Sequence, residues 1–282
     1  MNPFDKLKGI LPPREIKIVK ESTLERLIKL NKELEEEITI PDNWYYKLPE
    51  FRPKLYEQID KRAGDYDVQD ISNLTTALSF EESKNQRTRG AYIGGLLSLL
   101  TEKNHELKKT TSLEIDLNGR EFPYLLIGCK YVDTLKISNV KGDDVGSRIA
   151  CNNGNAEMIS FNNVKGDWVG YGIAKNKGNA EIISFNNVKG DWVGSWIASY
   201  NGNVGIVSFD KIKGDRVGYG IARYNGNAKI ISFNNVIGHN VGSWIASGKG
   251  YASVISFNDV IGDWVGSWIA SGKGYASVIS FN

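Results

Sequence analysis

Six glycines, Gly142, Gly166, Gly190, Gly214, Gly238 and Gly262, stand 24 residues apart, and each opens the same segment. That segment runs Gly-Asp-x-Val-Gly, Ile-Ala, a polar turn and a Ser-Phe-Asn run, with His239 replacing the aspartate in one copy. A strict period of this length makes residues 142–282 an array of equivalent units that stack on one another. With each of those glycines taken as position 1, Gly recurs at 1, 5 and 13, Val at 4, Ile-Ala at 8 and 9, and Ser-Phe at 19 and 20. Invariant positions face what all copies share. Position 16, held by Glu157, Glu181, Gly205, Lys229, Ser253 and Ser277, faces outward. The degenerate copy 118–141 puts Leu135, Lys136 and Ile137 at positions 18 to 20, which turns 18 and 20 inward and 19 outward.

Each unit holds two short runs of β-branched or aromatic residues bounded by Gly and Asn, and no helical stripe of adequate length. Ankyrin, tetratricopeptide and leucine-rich signatures are missing. The chain is therefore read as mainly β: a parallel β-solenoid of about six to seven coils, each strand pairing with its equivalent one coil on at roughly 4.8 Å. The glycines are expected at corners that need φ > 0. A left-handed hexapeptide helix is disfavoured, because stepping by six from Val169 meets Lys175, Glu181 and Asn187 where small aliphatics are needed. A two- or three-sided coil of another type remains. The Gly-Asp-Trp-Val-Gly and Ile-Ser-Phe-Asn-Asn-Val segments resemble those of short-coil β-solenoid repeat proteins of an uncharacterised, archaeal type. The resemblance covers about half the chain and implies architecture without activity.

Composition divides the chain. All seven prolines lie at or before Pro123, while 25 of the 30 glycines lie from Gly119 onward. Residues 1–112 are read as a helical capping or docking domain, and residues 113–282 as the solenoid with an incomplete last coil. Ser22-Thr23-Leu24-Glu25 forms a capping box. The helix it starts carries Leu24, Leu27, Ile28, Leu34 and Ile38 on one stripe, leaves Glu33 and Glu35 to Glu37 in solvent, and is closed by Pro41. A second helix is expected over residues 53–62, ending at Gly64, and a third over residues 80–106. The aromatic stretch from Trp44 to Phe51 is read as a connector.

Net charge is −2 for residues 1–117 and +4 for the rest, and basic residues in the repeats look dispersed relative to the tryptophans. Nucleic acid is therefore not an expected partner. Residues 1–20 lack an apolar leader, and the longest apolar stretch, residues 90–100, is about half of a membrane span. Cys129 and Cys151 make no disulfide framework. These features are read as cytoplasmic, with no membrane involved.

Stacking turns every repeat position into a column. Asp143, Asp167, Asp191, Asp215 and Asp263 could share calcium. The favoured reading is that each caps its own turn, and the nine-residue calcium-binding β-roll motif is missing. Asn162, Asn186, Asn234, Asn258 and Asn282, with Asp210 in register, suggest an amide ladder. Trp168, Trp192 and Trp264 occupy position 3, and Trp196, Trp244 and Trp268 occupy position 7. Asp144, Arg216 and Asn240 replace them at 3, and Arg148, Gly172 and Gly220 at 7, so both columns should be partly exposed. They are either a platform for sugars or a protein partner, or local cover for the coils.

Catalysis finds little support. His105 and His239 are the only histidines, neither is tied in sequence to a nucleophile or a metal-ligand set, and the irregular residues Asp144, Arg216, Arg223 and His239 are scattered. The function expected is a non-enzymatic repeat scaffold or protein-interaction module, without cofactor. Its partner would be another protein, or a second copy meeting the uncapped C-terminal coil. The alternative is a carbohydrate-binding or carbohydrate-active β-helix that uses the repeat tryptophans. The chain stops at Asn282, three residues short of a full coil, which is read as a shortened reading frame or an end buried by a partner.

Overall fold

The computed structural model describes residues 21–41 and 43–282. Four helices, α1 (Thr23–Glu37), α2 (Trp44–Arg62), α3 (Val68–Leu78) and α4 (Gln86–Glu106), precede eight strands. The strands are β1 (Ser112–Glu121), β2 (Tyr131–Lys141), β3 (Asn155–Lys165), β4 (Asn179–Asn186), β5 (Asn203–Lys213), β6 (Asn227–Ile237), β7 (Tyr251–Ile261) and β8 (Tyr275–Phe281). All eight form one sheet in the order β1 to β8, every neighbour parallel, giving a solenoid of about 7 turns. From β2 onward each residue pairs with its equivalent 24 residues on, as Phe161 does with Phe185 and Phe185 with Phe209. The first coil is shorter, since Ser112 pairs with Thr134 and Arg120 with Val140.

Strand alternation fills the interior as expected: Leu135 and Ile137 are buried and Lys136 is exposed. The position-20 phenylalanines from Phe161 to Phe281 stack face to face, with centroids 4.7–5.0 Å apart and planes within 2–6°. In-register stacking brings identical side chains to the strand spacing, so the ring column follows directly from the period.

The opposite wall, positions 1 to 12, is built of successive tight turns in which alternate residues are left-handed. In one coil these are Trp168 (φ 63°), Gly170 (64°), Gly172 (68°), Ala174 (53°) and Asn176 (56°). Their N–H groups donate alternately to the next and the previous coil. Trp168 reaches Asp191 O, Gly170 Val145 O, Gly172 Ser195 O, Ala174 Ile149 O and Asn176 Ser199 O, all at 2.8–3.0 Å. A left-handed L-residue costs about 1–2 kcal/mol. An inter-coil hydrogen bond of about 1 kcal/mol net, with burial of Val169, Ile173 and Ala174 on the same wall, offsets it.

The glycines follow two rules instead of the single one expected. At position 5 the backbone is left-handed, and a Cβ on Gly170 would lie 2.6 Å from the Phe185 ring. The two walls meet there, one residue thick. At position 13 the φ is not left-handed; a Cβ on Gly178 would overlap the Ala150 carbonyl of the coil below, so close approach decides the residue.

The helical region departs from the sequence reading in three places. The capping box of α1 is present, with Glu25 N–H donating to Ser22 Oγ and Ser22 N–H to Glu25 Oε2. Glu35, however, is buried against Arg89 at 2.9 Å, with side-chain exposures of 7% and 6%. Burial pushes its carboxyl upward, but donors from Ser83, Arg89 and Asn31 outweigh that and hold it below the usual range. The stretch from Trp44 to Phe51 is helical, because Trp44, Leu48, Leu55 and Ile59 share one buried stripe despite Pro49 and Pro53. The helix expected over residues 80–106 is preceded by a separate helix, α3, capped by Asp67 and Asp70, and begins only at Gln86. Phe80 lies between them, exposed beneath the Arg120 guanidinium.

Helices and solenoid share one continuous core. α4 lies directly on the first coil: a Cβ on Gly90 would overlap the Tyr124 carbonyl, and one on Gly94 would come 3.2 Å from that of Ile127. Among the described residues no helix is long and apolar enough to cross a membrane.

Candidate functional site

The turn wall carries all six repeat tryptophans, each with a left-handed φ of 59–63°. Their rings do not lie flat on the surface. Trp168 stacks on Trp192 with centroids 5.0 Å apart and planes 6° apart, and Trp244 on Trp268 at 5.3 Å and 13°. Arg216 covers Trp192 at 4.5 Å. Trp196 lies between Lys175 and Arg223, each 5.2 Å from its centroid, and Arg223 reaches on to Trp244 at 4.5 Å. Ring faces are therefore used along the rod axis, by one another and by cations. What the stacked part of the wall turns to solvent is ring edges and charged ends. Trp168, Trp192, Trp196 and Trp244 are half-buried, while Trp264 and Trp268 are 67% and 58% exposed.

The cations that look dispersed in sequence thus interleave with the aromatics. Coils with Gly at position 7 carry a base at position 10, as in Gly172/Lys175 and Gly220/Arg223, whereas coils with Trp at 7 carry Ser199, Ser247 or Ser271. The glycine leaves room beside a neighbouring indole, and the long side chain fills it. Burial first, and then the charge of Arg148, lower the Lys175 ammonium to about 8. Positions 6 to 14 of the six coils from Gly142 contain no Asp or Glu; they hold Arg148, Lys175, Lys177, Arg223, Lys249 and Lys273. Arg148 is buried beneath Trp44 of α2, 5.7 Å from its ring, while Lys177, Lys249 and Lys273 are exposed.

The aspartate column flanks this strip. Asp167 N–H donates to Asp143 Oδ1, Asp191 N–H to Asp167, Asp215 N–H to Asp191 and His239 N–H to Asp215, at 2.8–2.9 Å. Each of these carboxylates serves the next coil, which corrects the expectation that it caps its own turn. Asp263 faces His239 Nδ1 at 3.3 Å. No group of three or more His, Cys, Asp or Glu that could hold a metal ion occurs among the described residues. The amide column forms as a ladder: Asn186 donates to Asn162, Asn258 to Asn234 and Asn282 to Asn258, at 2.7–2.9 Å. Asp210 interrupts it and takes a hydrogen bond from Asn235 of the neighbouring column.

One pairing that the sequence reading missed joins His105 Nε2 to Asp133 Oδ1 at 2.7 Å, while Asp133 Oδ2 accepts from Thr111 N–H at 2.6 Å. Among the described residues no hydroxyl or thiol bonds to His105, so the pair ties α4 to the start of the sheet and lacks a nucleophile. Cys129 and Cys151 are buried and unpaired, and burial pushes the Cys129 thiol up to about 12. No family model, no curated protein and no solved structure matches this chain.

Proposed function

We propose that the chain is a non-enzymatic repeat scaffold whose turn wall is the interaction surface and whose helices cap the first coil. One observation carries this reading: across six coils, positions 6 to 14 hold no carboxylate while aromatics and cations interleave there. Elsewhere the columns close on themselves through inter-coil hydrogen bonds. Affinity capture with the full chain should retain a partner that Lys177→Glu/Lys249→Glu loses. A partner set indifferent to that wall, or turnover of a bound polymer, overturns the reading.

A second reading, a carbohydrate-binding or carbohydrate-active β-helix, is favoured by the row of half-buried indoles, Trp168, Trp192, Trp196 and Trp244, along the turn wall. A glycan screen comparing the wild type with Trp196→Ala/Trp244→Ala separates the two: a neutral-sugar signal lost in the variant supports this reading, and no sugar signal removes it. Self-association belongs to the scaffold proposal. Light scattering against concentration tests it. A cytoplasmic location is supported by the unpaired cysteines. The archaeal-type resemblance of the motifs is part of this proposal as ancestry and adds no activity.

A further inference from the structure

The strip formed by positions 6 to 14 has a sign, a direction and a repeat. All of its charged side chains are positive. Ring edges carry the positive side of the aromatic quadrupole, indole N–H groups and amides donate, and Lys177, Lys249 and Lys273 stand exposed at position 12. An acidic column, Asp167, Asp191 and Asp215, borders it on one side, and on the other position 16 is acidic only at Glu157 and Glu181. An anion on the strip is therefore turned away from the aspartate side and towards the position-12 lysines.

The repeat selects among polyanions. Coils rise by roughly 4.8 Å, about the length of one extended pyranose residue, so a sugar chain along the rod meets one coil per residue. Single-stranded nucleic acid would need a run of open ring faces for its bases, and here the faces of Trp168, Trp192, Trp196 and Trp244 are engaged by neighbouring rings or by Lys175, Arg216 and Arg223. An acidic peptide binding by strand addition would need an unpaired backbone ladder, whereas the left-handed residues of this wall use their N–H groups between coils. We infer that the strip binds an extended acidic polysaccharide, one sugar per coil, with its carboxylates or sulfates along the line of Lys177, Lys249 and Lys273. The inference rests on the reading that the turn wall is the interaction surface, and it names an acidic glycan as the ligand there, as distinct from the neutral sugars that test the second reading.

Calorimetric titration of the full chain decides it, with four probes: a polygalacturonate oligomer, a heparin oligomer, a thymidylate oligomer of matched charge and a neutral cello-oligosaccharide. One or both acidic glycans should bind. Lys177→Glu/Lys249→Glu/Lys273→Glu should weaken that binding by roughly tenfold or more. Lys165→Glu/Lys189→Glu/Lys213→Glu, an equal charge change on exposed lysines at position 24, should leave it nearly unchanged. Circular dichroism checks folding, and the Gln triple variant replaces the Glu one if that chain misfolds. Equal losses in the two triple variants would reduce the effect to net charge and overturn the inference. Tighter binding of the thymidylate would overturn it in favour of nucleic acid, and preference for the neutral sugar would overturn the anionic class. Absence of any acidic-glycan binding also overturns it; the interaction-rod reading then stands or falls separately, on whether captured partners are lost in Lys177→Glu/Lys249→Glu.

Discussion

Replacing Gly194 and Gly220 by alanine, one at a time, isolates the contact that sets the thickness of the solenoid. Both glycines are buried in the turn wall, with φ of +59° and +70°. Each alanine therefore carries the same left-handed penalty, about 1–2 kcal/mol. They differ in what the new methyl meets. At Gly220 the nearest atoms are indole carbons of Trp196 at 3.6 and 3.7 Å, an ordinary contact. At Gly194 the Cβ would lie 2.5 and 2.7 Å from the Phe209 ring and 2.9 Å from Phe185. Phe209 cannot retreat along the axis, because it is stacked between Phe185 at 5.0 Å and Phe233 at 4.8 Å. Overpacking adds about 1–3 kcal/mol, so Gly194→Ala should lose about 2–5 kcal/mol and Gly220→Ala only about 1–2. Urea titration read by both tryptophan fluorescence and far-ultraviolet circular dichroism measures the midpoints at unchanged slope. Coincidence of the two probes shows that end coils are not melting first. Equal midpoints for the two variants would refute the claim that the glycine–phenylalanine contact holds the walls together.

Arg89→Met leaves the Glu35 carboxylate buried without its partner and should cost about 3–5 kcal/mol, whereas Glu35→Leu/Arg89→Met should recover part of that in the same urea assay. Because the Glu35 carboxyl is held below its unfolded value, its contribution is complete above the ordinary glutamate range and is lost as pH falls through the lowered value. The acid limb of the wild-type stability curve should be steeper than that of the double variant. Burial raises the Asp144 carboxyl to about 6, the opposite sign: the folded chain holds that proton more tightly, so stability falls as pH rises from the unfolded aspartate value towards 6. Asp144→Asn should therefore match the wild type near pH 4 and exceed it at pH 8, by about 2–3 kcal/mol. Asp191→Ala removes one exposed inter-coil acceptor and should cost about 1 kcal/mol. Chelator should leave the wild-type melting midpoint where it was, and a shift would revive a cation at the aspartate column.

The period made the sheet, its register and the inward phenylalanines readable, because every unit repeats the same constraint on the same residue. The turn wall was not readable in the same way. Local preference speaks against Ala174 or Trp168 at positive φ, and the compensating hydrogen bonds run to residues in adjacent coils. The aspartates read as caps of their own turns for the same reason: the N–H groups they serve lie 24 residues away. The cation–aromatic strip did leave a signal, the exchange of Trp/Ser for Gly/Lys or Gly/Arg at positions 7 and 10, visible once the coils are written beneath one another. In the helices, Pro49 and Pro53 hid the buried stripe of α2, and Glu35 read as solvent because its partner Arg89 lies on a different helix.

Each coil from β2 onward repeats its neighbour's contacts in register. Duplication or loss of whole 24-residue units would therefore preserve every ladder and leave the helices untouched, whereas a length change inside a strand that is not a multiple of 24 would put the columns out of register at that coil. Reach along the rod is thus a quantity that recombination between repeats can lengthen or shorten in integral steps. The copies from Gly238 and Gly262, nearly identical in sequence, look like the product of one such step.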